Sequence, residues 1–136
     1  MKNIFWFCAI LFNLAFFSCS AVAAEQQRSY PVSRIAAHTY VIIGPVGYPS
    51  VENQGFMNNP GFVVTRNGVV VIDPGSSVQA GRMVLQQVRA ITRKPVTHVI
   101  NTHVHGDHWL GNQAIAEAYP RARLMAHSEM IRLAKE

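Results

Sequence analysis

Three histidines and an aspartate fall within six positions, His103 to His108, of the stretch NTHVHGDHWLGN (Asn101 to Asn112), in a chain of 136 residues that has six histidines in all. Imidazole nitrogen and carboxylate oxygen are ligands of choice for Zn²⁺ and also serve iron or manganese. Four such donors so close together point to two metal ions instead of one. In an extended segment, residues two apart share a side. His103, His105 and Asp107 then converge, while His108 turns another way after the flexible Gly106. On this reading His103 and His105 hold one ion, and Asp107 and His108 the second. Only two aspartates occur in the chain, so an H-x-H-x-D-H run is specific as motifs go. The other histidines do not join the group. His38 and His98 stand alone at strand positions and read as surface or satisfied polar groups, and His127 is isolated after a later strand.

The elements that must carry this cluster read as strands alternating with helices. His38 to Ile43 is β-rich and stops at Gly44-Pro45, and Gly, Pro and Asn then recur as a loop up to Pro60-Gly61. Phe62 to Thr65 and Val69 to Ile72 flank Arg66-Asn67-Gly68, and an Asn-Gly between two β-branched runs signals a tight hairpin. Asp73-Pro74-Gly75 breaks the second strand. Ser76 or Ser77 can then cap a helix that runs to about Arg93 before Pro95 stops it. Its polar residues Gln79, Arg82, Gln86, Arg89 and Arg93 oppose an apolar face of Val84, Leu85, Val88 and Ile91. Val96 to Ile100 is a short strand that runs into the histidine cluster, which places the cluster at a strand end, where α/β proteins commonly set their sites. A helix over Gln113 to Tyr119, a strand over Arg123 to Ala126 and a helix beginning at Ser128 follow. The run VVVID has apolar residues on both pleat faces, the mark of a sheet covered on both sides. The helices in this length cover only one, so Met1 to Glu136 is expected to be part of a larger domain, or to gain its missing layer from a partner chain or dimer.

The first 24 residues read as a signal peptide. Lys2 supplies the positive start, Ile4 to Phe17 the apolar run, and Ala21-Val22-Ala23-Ala24 the small residues for cleavage before Glu25. The apolar run is shorter than the ~20 residues that span a bilayer, so the expected product is periplasmic or secreted, with no stable membrane association once the segment is removed. Cys19 leaves a lipoprotein as the alternative. Both cysteines, Cys8 and Cys19, lie in this segment, so the remaining residues 25–136 must be stabilised by core or metal and not by disulfides. Without Lys2, 11 of the 12 basic side chains remain against 7 acidic ones, a balance of +4. They are scattered, with no basic run interleaved with aromatics, so no nucleic-acid partner is expected.

With VVVIDPG about thirty residues before it, THVHGDH resembles the metallo-β-lactamase superfamily of metallohydrolases, and the likeness runs from Thr39 to the end of the chain. It implies the N-terminal half of a four-layer αββα sandwich, an incomplete α/β domain spanning residues 25–136. Matched position by position, His103 and His105 correspond to first-metal ligands and Asp107 and His108 to second-metal ligands. Asp73 corresponds to a residue that supports the metal loop from behind. Two zinc ions are the implied cofactor, with iron or manganese possible, and Asp107 is the implied catalytic residue, binding metal and orienting the attacking hydroxide. Diiron members that reduce oxygen or nitric oxide usually carry glutamate at position 105, so His105 disfavours a diiron redox protein and points to the hydrolytic side, and the implied substrate is a small-molecule ester, thioester, lactam or phosphodiester. The stretch GYPSVENQGFMNNPGFVVTRNGVVVIDPG further resembles periplasmic branches associated with quinoprotein and sulfur-oxidation systems. The family needs later ligands, a histidine for the first metal, a bridging aspartate and a histidine for the second. This chain alone is therefore expected to be inactive, a non-catalytic or partner-completed metal binder being the alternative to a complete hydrolase.

Overall fold

The Asn-Gly hairpin organises the sheet. In the computed structural model, which describes residues 26–136, strands β3 (Gly61–Val64) and β4 (Val69–Ile72) pair antiparallel, with Val64 opposite Val69. The turn closes through Thr65, whose amide and hydroxyl both donate to the Gly68 carbonyl at 2.8 Å. Gly68 has φ +157°, and a Cβ there would stand 2.4 Å from Thr97 Cγ2 and 2.8 Å from the Pro95 carbonyl, so only glycine fits. The signal-peptide reading, Cys8 and Cys19 lie outside the described residues.

Around this hairpin, β1 (Val32–Ala36), β2 (Thr39–Ile42), β5 (Val96–Asn101) and β6 (Arg123–Ala126) complete one six-stranded sheet in the order β1-β2-β3-β4-β5-β6. The first four strands are antiparallel neighbours, whereas β4, β5 and β6 run parallel. Helix α1 (Val78–Ile91) makes the crossover from β4 to β5. Ser77 caps it by accepting from the Ala80 amide at 2.9 Å, and Thr92, in extended conformation, follows its last residue, Ile91, close to the end expected near Arg93. Ile91, expected on the packed face, is 40% exposed at this last turn. After β5 come two short helices, α2 (Gly106–Trp109) and α3 (Asn112–Ala118), and β6 leads to α4 (Ser128–Leu133).

The core lies on one side of the sheet. Ile42, Phe62, Val69, Val71 and Val99 meet Met83, Val84 and Val88 of α1 and Ile115 of α3, all essentially inaccessible to water. Each such side chain contributes about 1.5–3 kcal/mol by leaving water. Gly81 lets α1 and α3 approach closely, since a Cβ on it would come 2.4 Å from the Gly111 carbonyl. On the opposite face the register aligns Val63, Val70 and His98, and next to them Ile72, Ile100 and Met125. Val63, Val70 and Ile72 are half-buried there, whereas Ile100 and Met125 are 40% and 48% exposed. Among the described residues, no helix is long and apolar enough to cross a membrane.

Candidate metal centre

Parallel strands β4 and β5 end side by side, with Ile72 paired to Ile100, and the candidate site grows from those two ends. The first residue past β4 is Asp73, whose φ of +50° is left-handed. A non-glycine residue there costs about 1 kcal/mol or more and is tolerated best by Asp and Asn. Three contacts hold the turn. The Asp73 amide donates to the Ile100 carbonyl at 3.0 Å, its own carbonyl accepts from Asn58 Nδ2 at 3.0 Å, and the Gly111 amide donates to the Gly75 carbonyl at 2.8 Å.

The Asp73 carboxylate, in a residue only 7% exposed, is thereby aimed at the segment leaving β5. Its Oδ1 accepts from the Thr102 amide at 2.8 Å and its Oδ2 from the Thr102 hydroxyl at 2.7 Å, while Oδ2 also stands 2.9 Å from His108 Nδ1. Asn101 fastens the same segment from the other side. Its Nδ2 donates to the His108 carbonyl and to Asn112 Oδ1, both at 3.2 Å, and its Oδ1 accepts from Asn112 Nδ2 at 2.8 Å. Trp109 Nε1 closes the loop onto the Val104 carbonyl at 2.7 Å.

The course of the backbone corrects the extended reading of the motif. At Gly106 the chain enters α2, with His105 as its N-cap and the His108 amide donating to the His105 carbonyl at 3.0 Å. In a helical turn, neighbours lie three or four apart and not two. His108 consequently folds back instead of pointing away, and its ring centroid lies 4.0 Å from that of His103, closer than the 4.8 Å between His103 and His105. Asp107 reaches His108 and not the other two rings, with Oδ2 at 3.1 Å from His108 Nε2.

His108 therefore has a carboxylate oxygen at each ring nitrogen. A neutral imidazole carries one N–H and can donate to only one of them. With the proton on Nδ1 facing Asp73, the lone pair of Nε2 meets the lone pairs of Asp107. A proton or a metal cation between Nε2 and Oδ2 turns that repulsion into attraction. The donor chemistry of His103, His105, Asp107 and His108 thus fits a metal site in type and nearness. Among the described residues, however, no group of three or more His, Cys, Asp or Glu side chains already surrounds a common metal position. The donors are pre-assembled in pairs, and His103 Nδ1 is also engaged, at 3.0 Å, by the Thr102 hydroxyl.

The other three histidines make contacts of their own. His38 is exposed in the β1–β2 turn, His98 sits on β5 with Nδ1 3.1 Å from the Thr97 hydroxyl, and His127 caps α4 by accepting from the Glu129 amide. Sequence reasoning singled out neither Thr102, which lies inside the quoted motif, nor Asn58, in an aperiodic loop that gives no signal.

Residues 53–135 match the family model described as the metallo-beta-lactamase superfamily. A linear primary-alkylsulfatase of Pseudomonas sp. (strain ATCC 19151) is 40% identical over 47 residues, which is 35% of this chain and 9% of that enzyme. Among solved structures, a metallo-beta-lactamase from Pontibacter korlensis superposes with a TM-score of 0.65 at 19% identity, over 79% of this chain and 47% of its own. The metallo-beta-lactamase FIM-1 from Pseudomonas aeruginosa, in its mono-zinc form, does so with 0.65 at 13% identity, over 82% and 47%. The chain thus spans under half the length of each of these proteins, and its six-stranded α/β sheet corresponds to part of the metallo-beta-lactamase fold.

Proposed function

Because the chain belongs to the metallo-beta-lactamase superfamily, we propose that its strand-end cluster forms part of the metal centre of a metal-dependent hydrolase. The observation that carries this reading is the nearness of His103 to both His105 and His108, at 4.8 and 4.0 Å between ring centroids, with Asp107 Oδ2 3.1 Å from His108 Nε2. His103 and His105 would hold one zinc ion, and Asp107 and His108 the other. When bound, zinc supplies water activation near neutral pH and polarisation of an electrophilic centre. Asp107 would act both as a ligand and as the group that orients the attacking water. Asp73 accepts the hydrogen bond from the Nδ1–H of His108, which keeps the proton on Nδ1, leaves the Nε2 lone pair for a metal and raises its basicity.

The substrate in this reading is a small molecule with an electrophilic centre and a leaving group that a cation stabilises: an ester, a thioester or a lactam. The 47-residue likeness to an alkylsulfatase favours a sulfate ester as the first to try. Lys2, the apolar run after it and Ala21-Val22-Ala23-Ala24 support export to the periplasm or beyond. A second reading is a metal-binding protein without turnover of its own, completed by a partner chain or a dimer. It is favoured by the observation that, among the described residues, no three His, Cys, Asp or Glu side chains already surround one metal position, whereas a catalytic zinc normally holds three protein ligands.

The test is hydrolysis of a sulfate ester, a thioester and a β-lactam by the full-length protein loaded with zinc, with and without a chelator. Chelator-sensitive turnover supports the hydrolase. Bound zinc without turnover supports the second reading, and failure to bind any metal sinks both.

A further inference from the structure

We propose that Asn58 is a positioning residue for this centre, acting through the backbone of Asp73; its link to metal rests on the function proposed above. Asn58 belongs to the loop between β2 and β3, whose tip is solvent-facing at Val46, Tyr48 and Val51. Asn58 itself is 4% exposed. A buried carboxamide is costly unless its groups are bonded, and here only one end is. Nδ2 donates to the Asp73 carbonyl at 3.0 Å, while Oδ1 is buried and has no hydrogen-bond partner. For filling space alone, leucine has nearly the same shape and no orphaned oxygen. What asparagine adds is the donor, and the donor goes to the one residue whose conformation aims the site.

The recipient is strained. With φ +50°, Asp73 needs its surroundings to hold it, and such strain persists where neighbours over-determine it. Asn58 is well placed to do so because its own backbone is clamped. The Gly44 amide donates to Asn59 Oδ1 at 3.0 Å, the Ile42 amide donates to the Pro60 carbonyl at 2.9 Å, and a Cβ on Gly44 would come 2.3 Å from the Asn58 carbonyl. From this anchor, one hydrogen bond fixes the Asp73 peptide. Asp73 in turn fixes Thr102 and His108. The β2–β3 loop is thus coupled to a candidate ligand through two successive bonds.

The experiment uses Asn58→Leu in the full-length protein and follows amide hydrogen exchange residue by residue, without metal. The Thr102 amide, which donates to the Asp73 carboxylate, should lose protection on the order of 10-fold, the equivalent of one hydrogen bond. Val71 and Val99, in the sheet core, should keep theirs. Equal loss at all three would mean a merely structural role and overturn the proposal, as would unchanged protection at Thr102. Should the variant not fold, wild type carries the test. The Asn58 side-chain amide protons must be protected from exchange and show scalar coupling across the bond to the Asp73 carbonyl, and their absence overturns it. With zinc added, the variant should bind about 10-fold more weakly than wild type. If wild type binds no zinc, the proposed metal centre falls while the exchange experiment still decides the role of Asn58.

Discussion

Replacing Asp73 with asparagine keeps the shape of the side chain and removes its charge, and the consequences can be worked out bond by bond. The carboxylate accepts at 2.8 Å and 2.7 Å from Thr102 and stands 2.9 Å from His108 Nδ1. In Asp73→Asn the amide oxygen can still receive the Thr102 amide, as a neutral bond. The new NH₂ then faces the Thr102 hydroxyl, which must switch to accepting, and His108 Nδ1, which must give up its proton. Hydrogen bonds to charged groups contribute about 1.5–3 kcal/mol and neutral ones about 0.5–1.5. Each conversion loses about 1–1.5 kcal/mol, so the three together are expected to destabilise the fold by about 3–4.5 kcal/mol, read from urea unfolding. The tautomer matters separately. A proton displaced to Nε2 occupies the lone pair a metal would use, so zinc affinity, measured by chelator competition, should fall about 10–100-fold. A variant within about 0.5 kcal/mol of wild type that binds zinc equally well would refute the placement of Asp73 as the support of His108.

Other substitutions test the frame. Ser77→Ala removes the α1 cap and the hydroxyl that donates to the Gln54 carbonyl at 2.5 Å, and should cost about 1–2 kcal/mol in denaturant titration. Gly81→Ala improves intrinsic helix propensity by about 1 kcal/mol. Its Cβ would nevertheless meet the Gly111 carbonyl at 2.4 Å and Ala114 Cβ at 2.9 Å, so a lowered melting temperature is expected, and a raised one would show that α1 and α3 are not in close contact. Phe62→Ala empties a fully buried site and should lose about 3–5 kcal/mol, measured by the same unfolding curve.

What the sequence made legible follows from how local each signal is. The β3–β4 hairpin needed only Asn67-Gly68 between two β-branched runs, and α1 only a serine cap and a 3.6-residue rhythm, so both appear close to their expected bounds. Strand β1 was not legible: it is a sheet edge with four of five residues exposed, so VSRIA carries no alternation of apolar and polar. The direction of His108 was misread because α2 is a single turn of four residues. A turn that short has no periodicity to detect, and its tertiary ties, Asn101 to His108 and Trp109 to Val104, decide it. Asn58 depends on a bond across 15 positions of chain, which no local pattern encodes.

The central claim is that His103, His105, Asp107 and His108 hold metal. Its most direct test is the metal content of the purified full-length protein, wild type against His103→Ala, after equilibration with zinc and removal of the excess. Stoichiometric zinc is expected in wild type and a clear loss in the variant, with the fold retained by circular dichroism. Unchanged zinc content in His103→Ala would contradict it.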